Sequence, residues 1–282
     1  MRTVVITGVS SGIGRATAEV LLANGFHVFG SVRKQADADR LRTELGGNFT
    51  PLLFDVTDET AIRAAADQVR AHLAGQCLAG LVNNAGIAVG GPVLELPLAD
   101  YRRQFEINVF GAIAATQAFA PLLGGDPTLS GPRGRIVMMS SVAGKNGNPF
   151  MSAYCSSKHA LEGLSESLRR ELMLYGIDVV IVGPGAVKTP IWDKPDGTDI
   201  QPFAASPFFP ALKRLKMFVE QLAASGLPPA DIGKVVHQAL TVPAPKVRYA
   251  VTPDRLRHVV TAVLPKRMVD RIIAKRLGLR GA

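Results

Sequence analysis

The chain has 282 residues, 47% of them hydrophobic and 20% charged, a balance that supplies a large buried core and excludes a disordered protein. Its two cysteines, Cys77 and Cys155, stand far apart, which excludes a disulfide framework or a cysteine-built zinc site, and no metal site is expected. The net charge of +9 belongs to the tail: residues 206–282 hold 14 Lys+Arg against 4 Asp+Glu, the first 205 residues hold 18 against 19, and no nucleic-acid reader accompanies those cations.

In chain order, Val4-Val5-Ile6 is a short apolar run that passes straight into Gly and Ser, too short for a secretory leader. It predicts a first strand, followed by a helix from Gly14 to Ala23, a strand at His27-Val28-Phe29 and a helix ending near Leu45. The alternation continues with strand Thr50 to Phe54, helix Glu59 to Leu73, strand Gly80-Leu81-Val82, helix Leu98 to Leu122, strand Arg135 to Met139, helix Ser152 to Tyr175 and strand Asp178 to Val182. Continuously apolar strands alternating with helices predict an α/β fold, a doubly wound parallel sheet of six or seven strands covered by helices on both faces. Gly124 to Gly134 reads as a surface loop. Residues 190–230 lose the regular pattern and carry Trp192, Phe203, Phe208, Phe209 and Phe218 among prolines, the composition of a lid over a substrate pocket. Residues 231–282 read as a C-terminal helical extension of a single domain spanning 1–282. Its last segment, Leu264 to Leu277, has one apolar and one basic face, packed on the domain with solvated cations or, secondarily, in peripheral contact with an anionic membrane surface. No stretch approaches the roughly 18 to 20 apolar residues of a membrane span, and the expected location is the cytoplasm.

Three groups of residues carry chemistry. Gly8, Ser10, Ser11, Gly12, Ile13 and Gly14 lie between the first strand and the first helix, where glycines let the backbone approach a pyrophosphate and the helix N-terminus offers free N–H groups. The missing Gly-Lys-Ser/Thr disfavours a nucleoside triphosphatase. At the end of the second strand, Val32 stands where an acid would accept from a ribose hydroxyl, and Arg33-Lys34 follow, so NADP(H) is preferred over NAD(H). Tyr154 and Lys158 are four apart on a predicted helix and share a face, so a nearby ammonium is expected to draw the phenol's pKa down and let it exchange a proton with a substrate oxygen.

Taken together, these motifs resemble the short-chain dehydrogenase/reductase family over the first 190 residues. The glycine turn from Thr7 to Gly14 matches the family's nucleotide-binding pattern, Asp55 with Val56 matches its adenine-contacting acid, and Asn83-Asn84-Ala85-Gly86 matches its fourth-strand signature. Asn108, Ser141, Tyr154 and Lys158 match its catalytic tetrad, and the segment with Pro184, Gly185, Val187 and Thr189 matches its nicotinamide border. The resemblance implies a Rossmann-type domain in which Tyr154 is general acid in reduction and general base in oxidation. It also implies that Lys158 lowers the Tyr154 pKa and bonds the nicotinamide ribose, that Ser141 holds the substrate oxygen, and that Asn108 anchors a water. It further implies a homodimer or homotetramer paired through the helix bearing Leu161, Leu164, Leu168 and Leu172. The strand end Ser31-Val32-Arg33 and the long C-terminal extension look similar to steroid- and retinoid-acting members, hence a lipophilic alcohol or carbonyl substrate. The alternatives carried are a sugar-nucleotide epimerase or dehydratase of the extended branch, disfavoured by glycine spacing and chain length, and a non-catalytic NADP-binding sensor or scaffold, opposed by the intact tetrad.

Overall fold

The computed structural model describes residues 1–189, 199–253 and 263–279. Its strands are apolar because both of their faces are covered. All seven residues of β2 (Phe26–Val32) are buried, as are all four of β4 (Gly80–Asn83). With β1 (Arg2–Ile6), β3 (Phe49–Leu53), β5 (Arg135–Met139), β6 (Asp178–Pro184) and β7 (Arg248–Val251) they form one seven-stranded sheet in the order β3-β2-β1-β4-β5-β6-β7. Every pairing is parallel, and Val4 on β1 faces Val28 on one side and Gly80 on the other.

The connecting helices cover both faces. Helices α1 (Gly12–Ala23) and α2 (Gln35–Leu45) pack with α8 (Pro229–Thr241) over Val4, Ile6, Val28 and Val180. On the other face α3 (Glu59–Leu73), α5 (Gly111–Phe119) and α6 (Ser152–Glu171) pack over Val5, Phe29, Leu81 and Ile136. Local signals set the helix ends: the Asp58 carboxylate accepts from the Ala61 N–H at 3.0 Å to start α3, and Ala74, in the left-handed region at φ 47°, ends it. The strand order reverses at β1, whose neighbours β2 and β4 are reached in opposite directions. The splayed loops leave a crevice beyond the carboxyl ends of β1 and β4, the usual ligand position in such sheets.

Three stretches differ from the sequence reading. The long helix expected from Leu98 to Leu122 is divided into α4 (Leu98–Phe105), a π turn (Glu106–Phe110), α5 and a 3₁₀ turn (Ala120–Leu123). The wide turn directs Asn108 inward, and Gly111 follows it where a Cβ would meet Val56 Cγ2 at 2.7 Å. This run, Leu98–Leu123, is long and apolar enough by composition to cross a membrane, with a mean hydropathy of 1.2; here Ala115, Phe119, Leu122 and Leu123 pack into the core.

Within 190–230, where irregular chain is expected, residues 190–198 with Trp192 lie outside the described residues, and the rest contains α7 (Phe209–Ala224) with Pro210 in its first turn. The C-terminal stretch is less of an appendage than expected: α8 lies on α1 with Ile232, Val236 and Ala239 buried, and β7 completes the sheet beside β6. The last helix, α9 (Lys266–Leu277), buries Leu277 and is tied to α7, where Arg214 Nη1 donates to the Leu277 carbonyl at 2.9 Å and the Arg276 guanidinium lies 3.9 Å from the Phe218 ring centre. Met268 and Ile272 on α9 face outward.

Candidate active site

The turn between β1 and α1 is held from below. Gly8 and Gly12 have φ of 73° and 61°, which favour glycine, and a Cβ on Gly14 would collide with the Gly8 carbonyl oxygen. Asn84, beyond the end of β4, donates through Nδ2 to the carbonyls of Thr7 and Gly8 at 2.9 and 3.0 Å. The Thr7 hydroxyl accepts from the N–H groups of Asn84 and Ala85, both at 2.9 Å, and the Gly8 N–H donates to Ser31 Oγ at 2.9 Å. These bonds fix the turn against β2 on one side and the end of β4 on the other. Ser11 at the start of α1 makes no side-chain cap, and the first turn of α1 holds no acid, which leaves its N–H groups and positive dipole end for an anion. A cradle that closely shaped fits a dinucleotide's pyrophosphate.

Toward β2 the cleft is basic at its rim. Arg33 is mostly exposed and its Nη1 lies 3.7 Å from Asp55 Oδ2. The other Asp55 oxygen accepts from the Thr57 N–H and hydroxyl at 3.1 and 3.0 Å, so the carboxylate is anchored while Arg33 is the more exposed partner.

At the opposite end, α6 presents Tyr154 and Lys158 beside the end of β5. Ser141 Oγ stands beside the Tyr154 side chain, accepts from the Ala143 N–H at 3.1 Å and lies 3.3 Å from the Pro184 carbonyl, to which it donates. Lys158, buried, donates from Nζ to the Met139 carbonyl at 2.8 Å. Burial brings its pKa down to about 8, against the pull of Glu162. Burial also pushes the Tyr154 phenol above its ordinary value, against the smaller opposing influence of the neighbouring Ser141 hydroxyl. The expected lowering of the Tyr154 pKa by Lys158 is therefore not seen here: Nζ lies 5.8 Å from the Tyr154 ring centre, and desolvation is the larger effect. Asn108 stands behind this group. Its Oδ1 accepts from the Ile87 N–H at 2.8 Å, and its Nδ2 donates to the Ile87 carbonyl at 3.1 Å and to Ser157 Oγ at 3.2 Å. The neighbouring thiol of Cys155 is buried, which raises its pKa and leaves it a packing residue.

One continuous cleft is lined by Gly8, Ser10, Ser11, Gly12, Ile13, Gly14, Arg33, Asp55, Val56, Asn84, Ala85, Gly86, Ser141, Tyr154, Lys158, Pro184, Gly185, Val187 and Thr189. The structure thus brings the sequence-selected residues together, with Asn108 one layer beneath, under Ile87. Sequence reasoning missed Phe54, Ile87, Ile107 and Met139 in the same wall. They are ordinary apolar residues, Phe54 and Met139 at strand ends, Ile87 in the loop after β4 and Ile107 in the π turn, and only the tertiary fold brings them to one wall.

Comparison with known proteins gives a consistent picture. The family model described as short chain dehydrogenase matches residues 2–198. The chain is 38% identical over 278 residues to the NADPH-dependent 3-dehydrocapnine reductase of Ornithobacterium rhinotracheale, covering 98% of each. It is 32% identical over 286 residues to retinol dehydrogenase 5 of Homo sapiens, covering 96% of this chain and 87% of that protein. Among solved structures it is similar to a short-chain dehydrogenase from Streptomyces avermitilis, with a TM-score of 0.76 and 29% identity over 97% of this chain and 94% of that one.

Proposed function

Because the chain belongs to the short-chain dehydrogenase family and is an oxidoreductase that uses a nicotinamide cofactor, we propose that it interconverts a secondary alcohol, or an aldehyde's alcohol, with the carbonyl of a lipophilic substrate. NADP(H) is the preferred cofactor and NAD(H) the alternative. The observation that carries this reading is the convergence of Ser141 and Tyr154 at one end of the same cleft whose other end is the glycine turn.

When bound, the nicotinamide gives a hydride to the carbonyl carbon or takes one from the alcohol. The chain's own groups supply the rest. Tyr154, kept protonated by burial, donates its hydroxyl proton to the carbonyl oxygen as the C–H bond forms, and takes it back in oxidation. Ser141 holds that oxygen, so that developing negative charge meets two aligned hydroxyls in a site with little water. Lys158 supplies the positive charge that balances the phenolate left after transfer and reaches toward the ribose. Asn108, locked to Ile87 in the π turn, anchors a water of the proton relay. Gly8, Ser10, Ser11, Gly12, Ile13 and Gly14 receive the pyrophosphate, Arg33 the 2′-phosphate, Asp55 and Val56 the adenine, Asn84, Ala85 and Gly86 the adjoining ribose, and Pro184, Gly185, Val187 and Thr189 the nicotinamide edge.

Two relatives support the assignment, since one is an NADPH-dependent reductase and the other a retinol dehydrogenase, retinol being a lipophilic alcohol. In this reading residues 1–282 form one domain that works in the cytoplasm as a homodimer or homotetramer, with residues 190–230 closing over the substrate. The test is Tyr154→Phe with NADPH and decanal as the probe substrate. The variant is expected to lose turnover by about 100-fold or more with its NADPH affinity kept, and unchanged turnover would overturn the mechanism.

A further inference from the structure

One turn beyond Lys158, and outside the cleft lining, α6 buries a second charge that the mechanism above does not use. Glu162 is 3% exposed, and both of its carboxylate oxygens are occupied. Oε1 accepts from Ser140 Oγ at 2.7 Å and from Arg248 Nε at 3.1 Å, while Oε2 accepts from Arg248 Nε at 3.0 Å and lies 3.3 Å from Lys145 Nζ. Arg248, at the start of β7, extends past Glu162 and donates from Nη2 to the Ser141 carbonyl at 3.1 Å. The backbone leaves room for the cluster at two glycines. A Cβ on Gly144 would meet Ser140 Oγ at 2.6 Å, and one on Gly183 would meet Arg248 Nη2 at 2.6 Å.

Burying an ion pair repays its desolvation only when every lone pair and proton finds a partner, and breaking one leaves an uncompensated charge. Here both carboxylate oxygens and two of the three guanidinium nitrogens are partnered, and the pair with its partners spans four separate pieces of chain: the end of β5, the turn after it, the middle of α6 and the first residue of β7. Three of them border the group that would carry the chemistry. We infer that Glu162 and Arg248 are a positioning pair for the reaction, holding the Ser140-Ser141 backbone at the height of the Tyr154 hydroxyl and keeping a negative charge one helical turn below Lys158. This rests on the reading of Ser141, Tyr154 and Lys158 given above.

Two consequences separate this role from simple packing. Arg248 fixes the Ser141 carbonyl, hence the direction of its side chain, so its loss reduces kcat more than it raises KM. Glu162 favours the cationic form of Lys158, so its loss moves the alkaline limb of activity. Among the described residues, the titratable and charged groups around this turn are Tyr154, Cys155, His159 and Glu162 on α6 itself, His159 being exposed and turned to the Cys155 carbonyl, with Lys145 from the turn after β5 and Arg248 from β7. Removing Glu162 also leaves Lys145 and Arg248 without their carboxylate one helical turn from Lys158, which acts in the same direction.

The experiment compares wild type, Tyr154→Phe, Glu162→Gln and Arg248→Lys, using full-length protein with NADPH and decanal. NADPH affinity is followed by nicotinamide fluorescence. Glu162→Gln is expected to shift the alkaline limb of kcat/KM down by about one pH unit. Arg248→Lys keeps a cation beside Glu162 but cannot bridge to Ser141; it is expected to lower kcat about 10-fold, with NADPH affinity unchanged and the limb in place. Should Glu162→Gln not fold, Arg248→Lys decides alone through its split between kcat and KM. Wild-type kcat and pH profile in the folded variants, with Tyr154→Phe inactive, overturn this inference and leave the proposed function standing. An active Tyr154→Phe overturns the proposed function itself.

Discussion

Arg33 and Asp55 face each other at the β2 end of the cleft with Nη1 and Oδ2 3.7 Å apart, one side chain mostly exposed and the other fixed by two bonds from Thr57. That asymmetry makes Arg33 the group free to turn toward a phosphate. An exposed ion pair at this distance contributes little to stability, so its geometry is best explained by what it leaves available.

Arg33→Ala is therefore expected to weaken NADPH by about 1–3 kcal/mol while NADH changes far less, because only NADPH presents a second anion for a charge-assisted bond. Isothermal titration with each nucleotide measures the difference. Equal losses for the two would remove Arg33 from 2′-phosphate recognition.

Lys158 sets an alkaline limit. With burial holding its pKa at about 8, it loses its charge as pH rises through that value, and kcat/KM for NADPH, which reports the free enzyme, is expected to fall above about pH 8. The stability effect has the opposite sign. Between about pH 8 and the ordinary lysine value the unfolded chain binds more protons than the folded one, so this group's contribution makes the fold more stable as pH rises through that window. A pH series of kcat/KM alongside thermal unfolding separates the two, and an activity plateau extending to pH 10 would contradict the assignment.

Gly14→Ala tests the cradle. The added methyl has to displace the Gly8 carbonyl that Asn84 holds at 3.0 Å, so the variant is expected to lose about 1–3 kcal/mol of stability and to bind either nucleotide at least 10-fold more weakly. Thermal melts with and without NADPH read both quantities. Wild-type binding would mean that the turn does not carry the pyrophosphate.

Asn108→Ala removes both bonds that clamp Ile87 and opens a space behind the cleft wall. Leaving the Ile87 N–H and carbonyl without that partner is expected to cost about 1–3 kcal/mol, and turnover is expected to fall as the wall and the π turn loosen. Asn108→Asp keeps the acceptor for the Ile87 N–H but sets a second oxygen against the Ile87 carbonyl in a buried place, so it is expected to be no more stable than Asn108→Ala by chemical denaturation at neutral pH.

Much of this was legible in the residues. Val4 to Ile6, His27 to Phe29 and Gly80 to Val82 read as buried parallel strands because a strand covered on both faces has no polar alternation to confuse with a helix, and β1, β2 and β4 contain them. The glycine turn was legible because its position between strand and helix is local. What escaped depended on distant partners. The π turn is produced by Asn108 bonding to Ile87, twenty-one residues away in sequence, and nothing in the local run Glu106–Phe110 departs from a helical pattern. Four residues of β7, two of them Arg and Tyr, carry too little apolar signal to announce a strand, and it forms because β6 offers an open edge. The direction of the Tyr154 shift was misjudged for a related reason: sequence spacing gives the distance between two side chains on a helix but not the desolvation that surrounds them.

The most direct test of the central claim is titration of the purified protein with NADPH and NADH, followed by a panel of lipophilic aldehydes, ketones and alcohols monitored at the nicotinamide absorbance. The account predicts tighter binding of NADPH than NADH, with reduction of at least one carbonyl class in the panel. Binding of neither nucleotide would contradict it at its base, because the turn shaped by Gly8, Gly12, Gly14 and Asn84 would then have no ligand to hold.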